Sequence, residues 1–174
     1  LQTGKRLWEL IPPLKGDFNV PTPAIVGDRL LVSTENNGTR LYGFQDGGKI
    51  APHPKALFED LSPDSHSPVV LNDRIFGVHG ELYCLDAQNL KQIWAGRHRS
   101  FHEYTSIVAT EKRLLITTLD ARLLLVDPRA DRYSLVGELV LADDGAEIHS
   151  HPAISEDNLL IRMGSKLACL ALGT

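Results

Sequence analysis

One motif occurs four times along this chain, and a repeat of that period decides the kind of fold before any single element is assigned. Thr22-Pro23-Ala24-Ile25-Val26-Gly27-Asp28-Arg29-Leu30-Leu31-Val32 returns as Ser67-Pro68-Val69-Val70-Leu71-Asn72-Asp73-Arg74-Ile75-Phe76-Gly77. Looser copies run from Ser106 to Ile116 and from His151 to Ile161. Their anchors Pro23, Pro68, Ile107 and Pro152 stand roughly 40 to 45 residues apart, a spacing typical of blade-forming repeats.

Each copy reads as a short apolar strand, a polar turn of the Gly-Asp or Asn-Asp kind, and a second apolar strand, which is a hairpin pattern. Third strands follow at Leu41-Tyr42-Gly43-Phe44, Leu82-Tyr83-Cys84-Leu85, Leu123-Leu124-Leu125-Val126 and Leu167-Ala168-Cys169-Leu170. A fourth strand is legible in Leu90-Lys91-Gln92-Ile93-Trp94 and in Gly4-Lys5-Arg6-Leu7-Trp8. Four antiparallel strands per repeat make a propeller blade. The expectation is therefore an all-β chain, a β-propeller of four-stranded antiparallel blades occupying 1–174. Successive repeats are placed at 20–60, 66–96, 105–141 and 151–172, with 1–10 as the outermost strand of a blade. Little helix is expected, because no long segment carries apolar residues at helical spacing. The stretch 45–65 is the least regular, with a ragged outer strand around Ala56-Leu57-Phe58.

Two arrangements are open at this point. If Gly4–Trp8 completes the blade begun at His151, four blades close a ring and leave no exposed edge. Otherwise the chain is a fragment of a ring of seven or eight blades, or one that self-associates to complete a ring. The start Leu1-Gln2-Thr3-Gly4-Lys5 has neither a signal peptide nor an initiator Met, as expected of a chain processed or cut from something longer.

Composition narrows the partners. Hydrophobic residues are 43% and charged residues 23%, the proportions of a packed domain. Net charge is -4 and Lys and Arg are scattered, so nucleic acid is not an expected partner. No apolar run reaches the length of a membrane-spanning helix. Cys84 and Cys169 fall in equivalent third strands of repeats that are not neighbours, so both are expected to be buried, far apart and unpaired.

The residues also resemble a known family. Thr3-Gly4-Lys5-Arg6-Leu7-Trp8 looks like the end of the tryptophan-docking repeat of quinoprotein propellers, and Asp86-Ala87-Gln88-Asn89-Leu90-Lys91-Gln92-Ile93-Trp94 is similar. His66-Ser67-Pro68-Val69-Val70 and Leu82-Tyr83-Cys84-Leu85-Asp86 resemble the first and third strands of pyrroloquinoline-quinone-like (PQQ-like) repeats. Such repeats occur in alcohol dehydrogenases and in BamB-type assembly lipoproteins. The resemblance covers nearly the whole chain and departs in the third repeat, where Ile107 replaces the Pro and Arg132-Tyr133 stands where a Trp would follow Asp127. It implies that Trp8 and Trp94 pack blade against blade. It also implies that Pro23, Pro68, Pro152, Asp28, Asp73 and Asp157 are structural repeat residues, and that the chain works in the periplasm or outside the cell.

An active quinoprotein dehydrogenase needs a quinone clamp, a calcium or lanthanide held by oxygen ligands, and a catalytic Asp. No such set is recognisable, so no cofactor is expected and no catalytic residue is assigned. Asp64, Ser65 and His66 are neighbours in sequence, which does not make a triad, and no nucleophile elbow is present. The remaining candidates are His66, His102, His149 and His151, each just before a first strand and so directed to one rim. Converging there, with Glu103 or Glu147 as an oxygen ligand, they would suit zinc or another transition metal. The alternative is that a His before Ser-Pro orders the backbone entering the strand. Asp143, Asp144 and Glu147 with Gly145 form a small acidic loop, read as a solvated connection between blades. The expected function is a non-catalytic scaffold whose rim binds protein, peptide or carbohydrate. A part of a larger quinoprotein enzyme and a histidine metal module are the competing expectations.

Overall fold

In three of the four repeats the first residue of the opening hairpin turn takes a left-handed backbone, with φ of 59° at Gly27, 54° at Asn72 and 52° at Glu156. Gly and Asn accept that conformation readily, and it gives a two-residue turn whose twist matches the flanking strands. Asp28, Asp73 and Asp157 follow as exposed turn residues. The backbone carbonyls of Asp73 and Asp157 accept the N–H groups of Ala87 (2.8 Å) and Leu172 (2.7 Å), tying each turn to the end of its third strand.

The computed structural model describes residues 3–102 and 104–172. They form four antiparallel sheets. The first holds β1 (Ala24–Val26), β2 (Arg29–Thr34) and β3 (Gly38–Gln45), with β4 (Lys49–Ile50) and β5 (Ala56–Phe58) both paired to β3, so its outer strand is split in two. The second holds β6 (Val69–Leu71), β7 (Arg74–His79), β8 (Glu81–Asp86) and β9 (Gln92–Gly96). The third holds β10 (Thr105–Thr110), β11 (Arg113–Thr118), β12 (Arg122–Val126) and β13 (Leu135–Val140). The fourth holds β14 (Ala153–Ser155), β15 (Asn158–Met163) and β16 (Lys166–Ala171). Among the described residues the helical content is two 3-10 turns, at 46–48 and 99–102.

The fourth sheet has three strands, which corrects the expectation that Gly4–Trp8 is the outermost strand of a blade. Residues 4–10 take no strand, and Leu7 and Trp8 are 68% and 38% exposed. A strand exists through the ladder that satisfies its backbone, and this segment is not laid along β16, so it does not close a four-blade ring. The absent blade contact also corrects the placement of Cys169. Cys84 is buried on the packed β8, whereas Cys169 lies exposed on β16. Both are free, and burial pushes the Cys84 thiol up to about 12.

The core is divided among the gaps between successive sheets. Ile75 and Phe76 are neighbours on β7 and point to opposite faces. Ile75 joins Val26, Leu31, Leu41 and Leu85 against the first sheet, and Phe76 joins Trp94, Ile107, Leu114, Ile116 and Leu124 against the third. A third cluster of Ala121, Leu123, Ile148, Leu159 and Ile161 joins the last two sheets. Each gap is also filled by one apolar residue of the connection between blades, Leu61, Phe101 or Ile148.

The same gaps are bridged by a recurring arginine. Arg29 donates from Nη1 to the Gln88 carbonyl, and Arg74 donates from Nη1 to the carbonyls of Pro128 (3.1 Å) and Ala130 (2.7 Å), each reaching the next blade. Arg113, at the equivalent position, donates from Nη1 only to its neighbour Lys112. Arg74→Ala should therefore cost about 2 to 3 kcal/mol, the worth of charge-assisted bonds to carbonyls that are left short of a donor. Arg113→Ala should cost under about 0.5 kcal/mol, as at an ordinary surface position. Urea unfolding of the two variants checks this, and equal losses would refute the clamp.

Candidate functional site

Pro68 has no N–H to give a ladder, and β6 is only three residues long, ending its pairing with β7 at Val69 opposite Phe76. The Val78 N–H lies two residues further along β7, past the reach of that ladder. The His66 ring takes the place of the missing strand, its Nε2 accepting that N–H at 3.0 Å. The ring proton then sits on Nδ1, which faces Thr105 Oγ1 at 3.3 Å on the first strand of the next blade. Ser150 holds the same register in the last blade, donating from Oγ to the Arg162 carbonyl at 3.2 Å. Where the repeat has Ile107 in place of Pro, the first strand β10 runs six residues and its backbone pairs Ser106 with Thr117 directly. The histidine before Ser-Pro is thus a backbone substitute, buried and turned inward.

The other histidines stay at the surface. His102 is exposed in the second 3-10 turn, and His149 and His151 are exposed before β14. His149 Nε2 lies 2.9 Å from Glu147 Oε2, and its ring meets Tyr104 edge-on at 5.7 Å. Among the described residues no three His, Cys, Asp or Glu side chains come together as a metal site, so the candidate set His66, His102, His149 and His151 does not converge. Glu103 lies outside the described residues. Ser65 Oγ accepts the Thr105 N–H at 3.4 Å, His66 accepts the Val78 N–H and Asp64 is exposed, so the three do not act as a set.

What these connections build together is a groove. The turns after β7, β11 and β15 and the loops entering β10 and β14 line a series of adjoining hollows. A hollow of about 370 Å³ beside Asp64 and Tyr104 shares Gly80 and His102 with one of about 410 Å³ beside Glu81 and Arg97. That one shares Arg99 with a hollow of about 480 Å³ over Asp120 and Arg122, which in turn shares Gly145 and Glu147 with one of about 560 Å³ reaching Arg162. The groove runs across the last three blades.

Its floor is charged but internally satisfied. Asp120 accepts from Thr118 Oγ1 (2.6 Å), Ser100 Oγ (2.8 Å) and Arg122 Nε (2.9 Å). Burial alone would raise its pKa, but those hydrogen bonds outweigh burial and hold the carboxyl below its usual range. Arg122 donates its Nη1 to Glu138 at 2.6 Å. Above this floor Arg99, His102 and Glu147 stand exposed. Asp143 and Asp144, expected as a solvated connection, lie in the loop at the groove wall, where Asp144 Oδ1 accepts the Ala146 N–H at 3.2 Å.

Of the two tryptophans expected to pack blade against blade, Trp94 does so and Trp8, 38% exposed outside any sheet, does not. Trp94 is 5% exposed, stacks at 5.9 Å from Phe76 and 6.3 Å from Tyr133, and donates Nε1 to the Ala130 carbonyl at 2.9 Å. Pro68 and Pro152 are buried at the entry to their strands and Pro23 is exposed. The arginine clamps were not singled out, although their recurrence as Asp28-Arg29, Asp73-Arg74 and Lys112-Arg113 was visible.

No family model and no curated protein matches this chain. Among solved structures it is similar to BamB from Moraxella catarrhalis, with a TM-score of 0.62 and 16% identity over 84% of this chain and 47% of that one. The chain thus spans about half the length of that relative. A europium-containing methanol dehydrogenase aligns over 60% of this chain and 22% of its own, at 15% identity and a TM-score of 0.49. The likeness of fold rests on BamB, and it shows the four sheets to be arranged as blades of a β-propeller like those of that structure.

Proposed function

We propose that these blades are a non-catalytic scaffold that binds a polypeptide partner along the groove over the last three blades, in the periplasm or outside the cell. The observation that carries this reading is the continuity of the four hollows, each joined to the next by shared residues. A shallow track of that kind suits an extended chain better than a compact substrate, which prefers one deep apolar pocket. Loops on a rigid β framework are where propellers and other scaffolds carry recognition. The carboxylate at the floor is tied up in hydrogen bonds and the one deeply buried histidine faces away, which supports binding over catalysis.

Arg99, His102 and Glu147 offer both signs of charge and are free of the packed core. Replacing all three with Ala should leave stability within about 0.5 kcal/mol. Photo-crosslinking residues placed at these positions should join one polypeptide in the native extract, and the triple Ala variant should lose at least about ten-fold in affinity for it. Crosslinks that appear equally from Leu57, on the first blade away from the groove, would overturn the assignment.

A further inference from the structure

Arg40 sits on β3 with Tyr42 on the same face, opposite the face that carries Thr39 and Leu41 to the next blade. It is 4% exposed, yet its guanidinium makes one side-chain hydrogen bond, from Nη2 to Thr34 Oγ1 at 2.6 Å. Its Nε is buried with no partner. Asp17 feels the Arg40 charge and shares the Thr34 hydroxyl with it, but its carboxylate is also bonded to the Asn36 N–H and the Asn37 side chain, and no direct ion pair to Arg40 forms among the described residues. A buried guanidinium with no directly bonded anion is a costly arrangement, and proteins normally pair such a charge in contact.

Arg40 and Tyr42 line a cavity of about 630 Å³. Leu10, Ile11, Leu14 and Leu57 give it apolar walls. The volume lies in the range of small-ligand sites, which combine such walls with one charged anchor. The cavity shares no residue with the groove over the last three blades. We propose that it binds a small organic carboxylate, with the carboxylate on the Arg40 guanidinium and the apolar body against Leu57 and the 10–14 segment. A planar guanidinium matches a planar carboxylate. Glu59, also at the cavity, disfavours a doubly charged ligand such as phosphate.

The test uses hexanoate as the probe, with hexanamide and inorganic phosphate as controls, titrated by calorimetry into the whole chain. Hexanoate should bind saturably, and hexanamide and phosphate at least ten-fold more weakly. Arg40→Met removes the charge and keeps the volume, so it should fold, with an unchanged or higher urea midpoint, and lose hexanoate binding at least ten-fold. If Arg40→Met does not fold, Ile11→Asp at an exposed wall position provides the same readout by repelling the carboxylate. No saturable binding of hexanoate, equal binding of hexanamide, or affinity unchanged in the folded variant would each overturn the proposal.

Discussion

Trp94→Ala is expected to cost about 4 kcal/mol of folding stability, the largest loss of any single substitution considered, as for other buried aromatic deletions. The indole fills the gap between the second and third blades against Phe76, Leu114 and Ile116 and leans on Tyr133. Its Nε1–H also meets the Ala130 carbonyl, which Arg74 bonds from the other side. The backbone is close there, since a Cβ on Gly96 would come within 2.2 Å of Tyr133 Cγ, so the gap cannot collapse on the hole without moving Tyr133. Trp94→Phe should retain most of the packing and lose about 1 to 2 kcal/mol, chiefly the hydrogen bond and the second ring. Urea unfolding followed by circular dichroism measures both, and a loss below about 2 kcal/mol for Trp94→Ala would mean the blades are held elsewhere. Combined with Arg74→Ala the effects should fall short of their sum, because the two side chains share one carbonyl.

Acid should destabilise the chain through His66. Burial, and then the charges of His151 and His79, lower its pKa from 6.5 to about 4. The unfolded chain therefore takes up this proton first. Stability from the neutral ring is complete above about pH 6.5, declines as pH falls from there to about 4, and the loss amounts to about 3 kcal/mol. The geometry gives the cause, because a protonated Nε2 would present a second donor to the Val78 N–H. His66→Gln keeps an acceptor oxygen without titrating, so its urea midpoint should fall much less than that of the native chain between pH 6.5 and 4. Parallel pH dependences in the two proteins would place the acid sensitivity in other groups.

The strand framework was legible because a blade repeats its turns. Pro23, Pro68 and Pro152 mark where first strands begin, Gly27 and Asn72 mark where they turn, and the ragged strand at Ala56–Phe58 pairs as β5. Gly4–Trp8 misled because a strand pattern states an ability to pair, whereas pairing needs a neighbour in register. The shared position of the histidines before first strands suited either a rim set or an ordering of the strand entry; His66, in the bend before β6, takes the second role, while the exposed loops carry the others outward. Arg40 carried no sequence signal at all. Its burial follows from sharing a strand face with Tyr42 under residues 10–14, a contact between segments that no local pattern encodes.

The division of the apolar core into three separate layers has a mechanical consequence. The molecule is a row of plates held pairwise, not a single droplet, and its plates differ in grip. The second and third sheets are clasped from both sides. Among the described residues the fourth is clasped from one, by the smallest of the three clusters. Opening from that end surrenders one layer and leaves the others whole, so thermal breathing is graded along the chain, and the blade of β14–β16 is the leaf that lifts first.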